Sequence, residues 1–239
     1  MLVKRLSEQR GAAHHGWLHS RHTFSFGHYW NPQEVGFSDL LVINDDQVAP
    51  GQGFGTHPHQ DMEIVSYVLK GQLEHKDSMG NGSVIRAGDV QAMSAGTGVR
   101  HSEFNPSREE PVHFLQVWIV PDRKGVMPRY QQRHFGEQEK RGKLCLILSQ
   151  EGEQGALAVW QDVRVHAGLF DGDEEARLDL APNRYAYVHV ARGTVTVNGE
   201  VLHEGDGARV RDESHLEISH GHQAELLVFD LRPNELPLL

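Results

Sequence analysis

Gly51-Gln52-Gly53-Phe54-Gly55-Thr56-His57-Pro58-His59 is the stretch on which the reading of this chain turns. A glycine-rich run leads into an extended segment, where residues two apart point to the same side and lie roughly 6.5 Å apart, so that two imidazoles can converge on one ion. Further along, His101-Ser102-Glu103 repeats the same i, i+2 spacing beside a second glycine-rich turn. Strand-turn-strand material separates the two pairs, and antiparallel strands can bring them together inside a small barrel. A single His-x-His is more often a solvent-facing pair than a site, but two such pairs reverse that balance. Three neutral imidazoles and one carboxylate bind a divalent ion, leave about one positive charge uncompensated and keep coordination positions open.

Outward from these pairs, little of the sequence repeats every 3.6 residues, and short alternating runs stand between Gly, Pro, Asn and Asp punctuation. Strands are expected over 23–26, 39–44, 63–69, 73–76, 89–93, 100–104 and 113–120. A second series is expected over 144–149, 159–169, 184–190, 194–197, 208–211, 215–219 and 225–231. Residues 121–142, with two prolines and the run Gly136-Glu137-Gln138-Glu139-Lys140-Arg141, have the composition of a connecting segment. Both halves carry an expected hairpin of apolar strand, glycine turn and apolar strand, at Gly71 and at Gly193, each followed by a Gly-Asp pair, Gly88-Asp89 and Gly205-Asp206. This weak internal repeat suggests an all-β fold of two tandem barrels, a metal-binding one over 1–130 and a metal-free one over 131–239. The second half lacks a His-x-His ahead of Arg192-Gly193. His220-Gly221-His222 sits at an expected turn with no second pair, so His189, His203, His215, His220 and His222 read as packing or surface residues.

The 239 residues are 38% hydrophobic, enough for real cores without covalent staples. The single cysteine, Cys145, lies in the apolar run Leu144-Cys145-Leu146-Ile147-Leu148; it reads as a small buried hydrophobe and fits a reducing cytoplasm. Met1-Leu2-Val3 runs straight into Lys4-Arg5, and no run approaches the ~20 apolar residues of a membrane span, so neither secretion nor membrane insertion is expected. The net charge of −10 is spread along the chain without a basic block, which argues against nucleic-acid binding. The spacing of Gly51, Gly53 and Gly55 is wrong for a nucleotide fingerprint, and no phosphate loop or nucleophile elbow is present.

Gly51-x5-His57-x-His59-x3-Glu63-x7-Gly71 resembles the first cupin motif, and Gly96-x-Gly98-x2-His101-x3-Asn105 the end of the second, with Gly96 where cupins usually carry proline. Four longer runs resemble the pirin family of that superfamily: His14-His15-Gly16-Trp17-Leu18, His22-Thr23-Phe24-Ser25-Phe26, Gly55-Thr56-His57-Pro58-His59, and Met93-Ser94-Ala95-Gly96-Thr97-Gly98-Val99-Arg100-His101-Ser102-Glu103. The resemblance covers essentially the whole first half and, more loosely, the second. It implies two jelly-roll-like cupin barrels and one metal ion, iron(II), on His57, His59, His101 and Glu103. The donor set itself also suits manganese, cobalt, nickel, copper or zinc. Ordinary cupins use the motif-one glutamate, here Glu63. Glu63 and Asp61 share the strand parity of His57 and His59 and stay open as alternatives. Glu103 is preferred because His-x-Glu repeats the same-face geometry, with Glu63 then a partner that orients an imidazole.

The family resemblance implies a quercetin 2,3-dioxygenase. Such an enzyme opens the central ring of a flavonol with loss of carbon monoxide, and Glu103 would be the general base. The alternative it implies is an iron-binding protein that senses metal redox state and acts through a partner protein. A third reading keeps the metal and changes the substrate to another small aromatic or enol, since fold does not fix function. Among the aromatics, Phe54, three residues before His57, is the one singled out for a flat aromatic ligand. A monomer is the default expectation.

Overall fold

The computed structural model describes residues 1–235, so 236–239, the end of the expected second unit, lie outside the described residues. Helix is confined to single turns, including α1 (Glu137–Lys140). The strands are β1 (Leu2–Arg5), β2 (Gly11–His14), β3 (Leu18–His22), β4 (Leu40–Val48), β5 (Gly53–His59), β6 (Glu63–Lys70), β7 (Gln72–Asp77), β8 (Gly82–Arg86), β9 (Asp89–Ser94), β10 (Val99–Phe104), β11 (Val112–Ile119) and β12 (Arg129–His134). They continue with β13 (Leu144–Ser149), β14 (Leu157–Ala158), β15 (Val163–Phe170), β16 (Ala176–Asp179), β17 (Tyr185–Val197), β18 (Glu200–His203), β19 (Gly207–Val210) and β20 (His215–Leu231). The fold is all-β and holds two cupin domains. In the first, a seven-stranded sheet, β12-β9-β6-β11-β4-β3-β2, faces a four-stranded sheet, β5-β10-β7-β8. In the second, one sheet in the order β1-β19-β17-β20-β15-β13-β14 curls around its own core, with β16 paired to β20 and β18 to β17.

Strand β6 shows how the two units fit. Every residue from Glu63 to Leu69 is buried, because the strand has a core on each face. Ile64 and Val68 point into the first barrel, while Val65, Tyr67 and Leu69 join a cluster with Leu227, Phe229 and Leu231 of β20. The seven-stranded sheet is therefore a wall with one barrel on each side. Buried polar groups tie it across: Tyr67 Oη donates to Glu225 Oε1 at 2.7 Å, and Lys140 Nζ donates to Tyr67 Oη at 3.0 Å.

Inside the first barrel, apolar residues occupy the two ends. Leu18, Val48, Val68, Leu73, Ile85, Val112 and Phe114 cluster at one, and Ile64, Met93, Ala95 and Val99 at the other. Between them along the strands lie inward-facing polar positions: Ser20, Asn44, Asp46, Ser66, Gln91, His101, Glu103 and Gln116, all buried. Burying a belt of polar groups is costly unless their hydrogen bonds or ligands are supplied.

Several strand expectations shift. Residues 23–26 are not a strand, since β3 ends at His22 and only Phe26 makes an isolated bridge, to Tyr29. The 121–142 segment is less loose than its composition implies, because β12 pairs with β9 along its full length and α1 follows. Strand β12 shows no apolar alternation because it lies at the sheet edge with nearly every residue half-buried. The expected boundary at residue 130 falls inside that strand, and β1 pairs with β19 in the second sheet.

The two expected hairpins are corners. Strand β6 belongs to the seven-stranded sheet and β7 to the four-stranded one, so the chain changes sheets at Gly71, which has φ +77°. In β17 the chain runs on through Gly193, φ +66°, with register shifts against β20. The repeat itself is seen in atoms: Asp89 Oδ2 accepts the Arg86 N–H at 2.9 Å, and Asp206 Oδ2 accepts the His203 N–H at 2.9 Å, so each Gly-Asp pair closes the same turn. His220 and His222 lie within β20, where His220 has φ +50°, not at a connecting turn. No helix among the described residues is long and apolar enough to cross a membrane.

Candidate metal centre

Strands β5 and β10 pair antiparallel with His57 directly opposite His101 and His59 opposite Val99. One residue further along β10 the register slips, so that Glu103 lies opposite Phe54. The extra residue on β5 is a bulge, and it turns Phe54, an odd number of positions from His57, to the same inner side. Gly53 makes the approach possible: a Cβ there would overlap the Glu103 carbonyl oxygen and lie 2.5 Å from the Phe104 Cα.

One nitrogen from each of His57, His59 and His101 lies within 4.8 Å of the others. The ring centroids are 4.5 Å apart for His57 and His101, 4.8 Å for His57 and His59, and 4.9 Å for His59 and His101. Burial, with the neighbouring imidazoles adding to it, lowers His59 to about 4 and His101 to about 3. Both rings are thus neutral near pH 7 and carry a lone pair. His57 Nδ1 donates to the Gly55 carbonyl at 2.8 Å, which leaves Nε2 as its free acceptor. The His101 Nε2 is buried and has no hydrogen-bond partner in the protein. Three rings with converging free nitrogens, one of them orphaned, fit a divalent ion: the cluster can hold one metal.

Glu103 is buried beside this cluster. Its carboxylate accepts from Gln116 Nε2 at 3.1 and 2.9 Å and from Ser66 Oγ at 3.2 Å. It lines the same small chamber as His57 and His59, together with Leu18, Phe26, Phe54 and Trp118. Glu63 goes elsewhere. A turn at residues 60–62, with Asp61 at φ +47°, resets the parity between β5 and β6. Glu63 therefore faces the second domain, where it accepts from Ser94 Oγ at 2.8 Å and from the backbone of Trp160. It does not orient an imidazole. Asp61 accepts the Gly125 N–H at 2.7 Å, outside the histidine cluster.

The chamber shares Leu18, His22, Phe26 and Phe54 with an aromatic cleft of about 730 Å³ that also includes Trp17 and Tyr29. Trp17 meets Phe54 edge-on at 5.2 Å, and Trp118 meets His59 edge-on at 5.1 Å. A slightly larger cleft, about 770 Å³, lies between the barrels beside Lys140, Arg192 and Glu225. Its cations are already paired, Arg192 with Glu225 at 3.2 Å and Arg141 with Glu137 at 2.6 Å, and it lies away from the imidazoles. The converging ligand-type side chains are at the histidines.

Sequence reasoning did not find Ser66, Gln116, Asp46 or the pair His75 and Asp77. Ser66 and Gln116 each stand alone in an otherwise apolar inward face, Asp46 follows Asn44 on another, and His75-x-Asp77 has the same i, i+2 spacing as the two pairs that were noticed.

A family model described as pirin matches residues 3–119, and one described as a quercetinase C-terminal cupin domain matches residues 146–231. A quercetin 2,3-dioxygenase of Escherichia coli is 47% identical over 233 residues, spanning 98% of this chain and 100% of that protein. The chain belongs to the pirin family. A putative quercetin 2,3-dioxygenase of Pasteurella multocida is 43% identical, over 97% of this chain and 100% of that one. The crystal structure of YhhW from Escherichia coli matches with a TM-score of 0.94 at 46% identity, covering 99% of this chain and 100% of that one. The same bacterial pirin in complex with nickel(II) matches with a TM-score of 0.92 at 47% identity, covering 98% and 100%. The runs that carried the pirin resemblance gather at one place: they supply His57, His59 and His101, line the chamber with His22 and Phe26, and set Trp17 against Phe54.

Proposed function

We propose that this pirin is a metal-dependent dioxygenase of the quercetin 2,3-dioxygenase type, opening the central ring of a flavonol with release of carbon monoxide. The observation that carries the reading is the convergence of three imidazoles beside a small chamber that shares Phe26 and Phe54 with an aromatic cleft, with a hydrogen-bonded carboxylate next to them. The names of the relatives agree with it.

His57, His59, His101 and Glu103 would hold one divalent ion, iron(II) by family resemblance, which when bound supplies Lewis-acid activation of the flavonol oxygens and the reaction with dioxygen. The protein's own groups do the rest. Glu103 takes the proton of the flavonol 3-hydroxyl as general base. Gln116 and Ser66, by donating to its oxygens, hold the carboxylate as an acceptor in one orientation. Phe54, Phe26, Trp118 and Leu18 flank the flat rings and keep water from the reacting carbons. Both atoms of dioxygen are taken up, one ring carbon leaves as carbon monoxide, and Glu103 returns its proton to the product.

The test is anaerobic loading with iron(II), then oxygen uptake and carbon monoxide release with quercetin. His57→Ala is expected to abolish both signals. Glu103→Gln is expected to lower kcat by about 10²- to 10⁴-fold, the usual worth of a positioned base. Full turnover in Glu103→Gln would remove the base assignment. Metal binding without carbon monoxide from the wild type would move the site to a different enol or to a redox-sensing role.

A further inference from the structure

Behind His101 stands a second pair that the reaction does not touch. His75 on β7 has no exposed side-chain surface, nor has Asp77. His75 Nε2 lies 3.0 Å from Asp77 Oδ2, and His75 Nδ1 lies 3.4 Å from His101 Nδ1, with the two rings 5.3 Å apart and inclined at 53°. Strand pairing sets this alignment, since β10 lies between β5 and β7 and places Asp77 opposite His101 and His75 opposite Glu103. Tyr130 stacks on the outer face of His75 at 4.7 Å and 30°, fixing the plane of the ring.

The proton positions follow from counting donors. Asp77 also accepts the Met79 and Asn81 backbone N–H groups on Oδ1 at 2.9 and 3.0 Å, and Asn81 Nδ2 on Oδ2 at 2.9 Å. A carboxylate surrounded by donors accepts from His75 as well, so the His75 proton sits on Nε2. With its single proton there, the His75 Nδ1 is a lone pair and can only accept. His101 must donate from its own Nδ1, which leaves the His101 Nε2 lone pair directed at the cluster, where it has no protein partner. His57 obtains the same tautomer from a neutral backbone carbonyl. Only His101, among the three, is linked through a second ring to a carboxylate.

We propose that His75 and Asp77 are positioning residues for the metal centre: the chain Asp77–His75–His101 fixes His101 in the Nδ1–H tautomer and makes its Nε2 the strongest donor of the three. The proposal rests on the three-histidine reading of the metal site and deepens it. A carboxylate behind an imidazole fixes its tautomer, raises its basicity as a ligand, and costs about 10- to 100-fold in metal affinity when removed.

The test has two independent readouts. Long-range ¹H–¹⁵N correlation spectra of the metal-free protein report the His101 tautomer directly, and competition with a chromophoric chelator gives the nickel(II) Kd. Wild type is expected in the Nδ1–H form. His75→Phe, which removes both ring nitrogens, is expected to lose that form and to bind nickel(II) about 10- to 100-fold more weakly. His75→Asn keeps an acceptor near the Nδ1 position and is expected to retain the tautomer with an intermediate Kd. Asp77→Asn tests the far end of the chain should His75→Phe fail to fold. Wild type in the Nε2–H form, or variants with unchanged tautomer and Kd, would overturn the proposal. A wild type that binds no nickel(II) would instead sink the metal site itself, whatever its tautomer.

Discussion

His101 carries more of the site than its two partners, because it is the one of the three imidazoles that is buried completely and its Nε2 is buried without a protein partner. Its proton affinity is the lever. Burial and the neighbouring rings hold His101 at about 3 and His59 at about 4, against an ordinary 6.5, so above about pH 5 protons compete weakly with a metal for these two rings. Nickel(II) affinity is therefore expected to fall less than about tenfold between pH 7.5 and pH 6.0 in a chelator-competition titration. A loss of about 15-fold or more, which two rings of ordinary pKa would give between these pH values, would mean that these rings titrate normally and are not held neutral by the fold. The three histidines were legible in the sequence because i, i+2 spacing on an extended strand is a geometric statement that needs no partner. Glu63 stayed open as a ligand for the same reason turned around: counting parity assumes an uninterrupted strand, and the left-handed Asp61 breaks the count. Gln116 and Ser66 were not legible, because a lone polar residue in an apolar run says only that something will satisfy it.

Among the elements, the β5–β10 ladder is the one whose geometry the chemistry depends on. Gly53 sits where the two backbones come closest, and the bulge beside it aims both Phe54 and His57 inward. Gly53→Ala is expected to force β5 off β10, costing about 1–3 kcal/mol of stability as overpacking does, and to weaken metal binding along with it. Thermal melts paired with nickel(II) titrations check this. A variant with wild-type Tm and Kd would show that the ladder absorbs the methyl group by shifting elsewhere. The longer core strands were read from alternation and punctuation, whereas shorter ones such as β1, β2, β8, β14, β16 and β18, and the connectivity of the elements, were not. Gly71 and Gly193 were taken as hairpin turns because a glycine between two apolar runs looks the same whether the chain reverses or passes around a corner. Which it does depends on strands far away in sequence: β10 beside β7 in one case, and β20 beside β17 in the other. Strand β12 was missed because its partner β9, not its own pattern, makes it a strand.

The whole molecule is held by the wall between the barrels, and Glu63 is one of its buried titratable groups. Burial, only partly offset by the Ser94 and Trp160 hydrogen bonds, raises its carboxyl from 4.5 to about 7. The folded state thus binds this proton more tightly than the unfolded chain, so the stabilisation is complete below about pH 4.5 and is lost as pH rises towards 7. Glu63→Gln, which keeps the size and removes the titration, is expected to gain on the wild type across that window by up to about 3 kcal/mol. Denaturant melts at pH 5 and pH 8 measure the difference, and a gap between the two proteins that does not change with pH would show that Glu63 is not strained by its burial. The two-barrel architecture was legible through the internal repeat. What the repeat did not show was that the first strand of the chain completes the second sheet, since pairing between Leu2–Arg5 and Gly207–Val210 leaves no mark in either segment.

With one sheet serving two cores, the two barrels are expected to melt together. Free energy delivered at the imidazoles passes through β6 to Leu227 and Phe229 on the far side. An ion present at a thousand times its Kd would add about 4 kcal/mol to the resistance of the entire chain to heat and proteases, including a barrel that contributes no atom to the cluster. On that account the second cupin would be a thermodynamic passenger, insured by an ion it never touches.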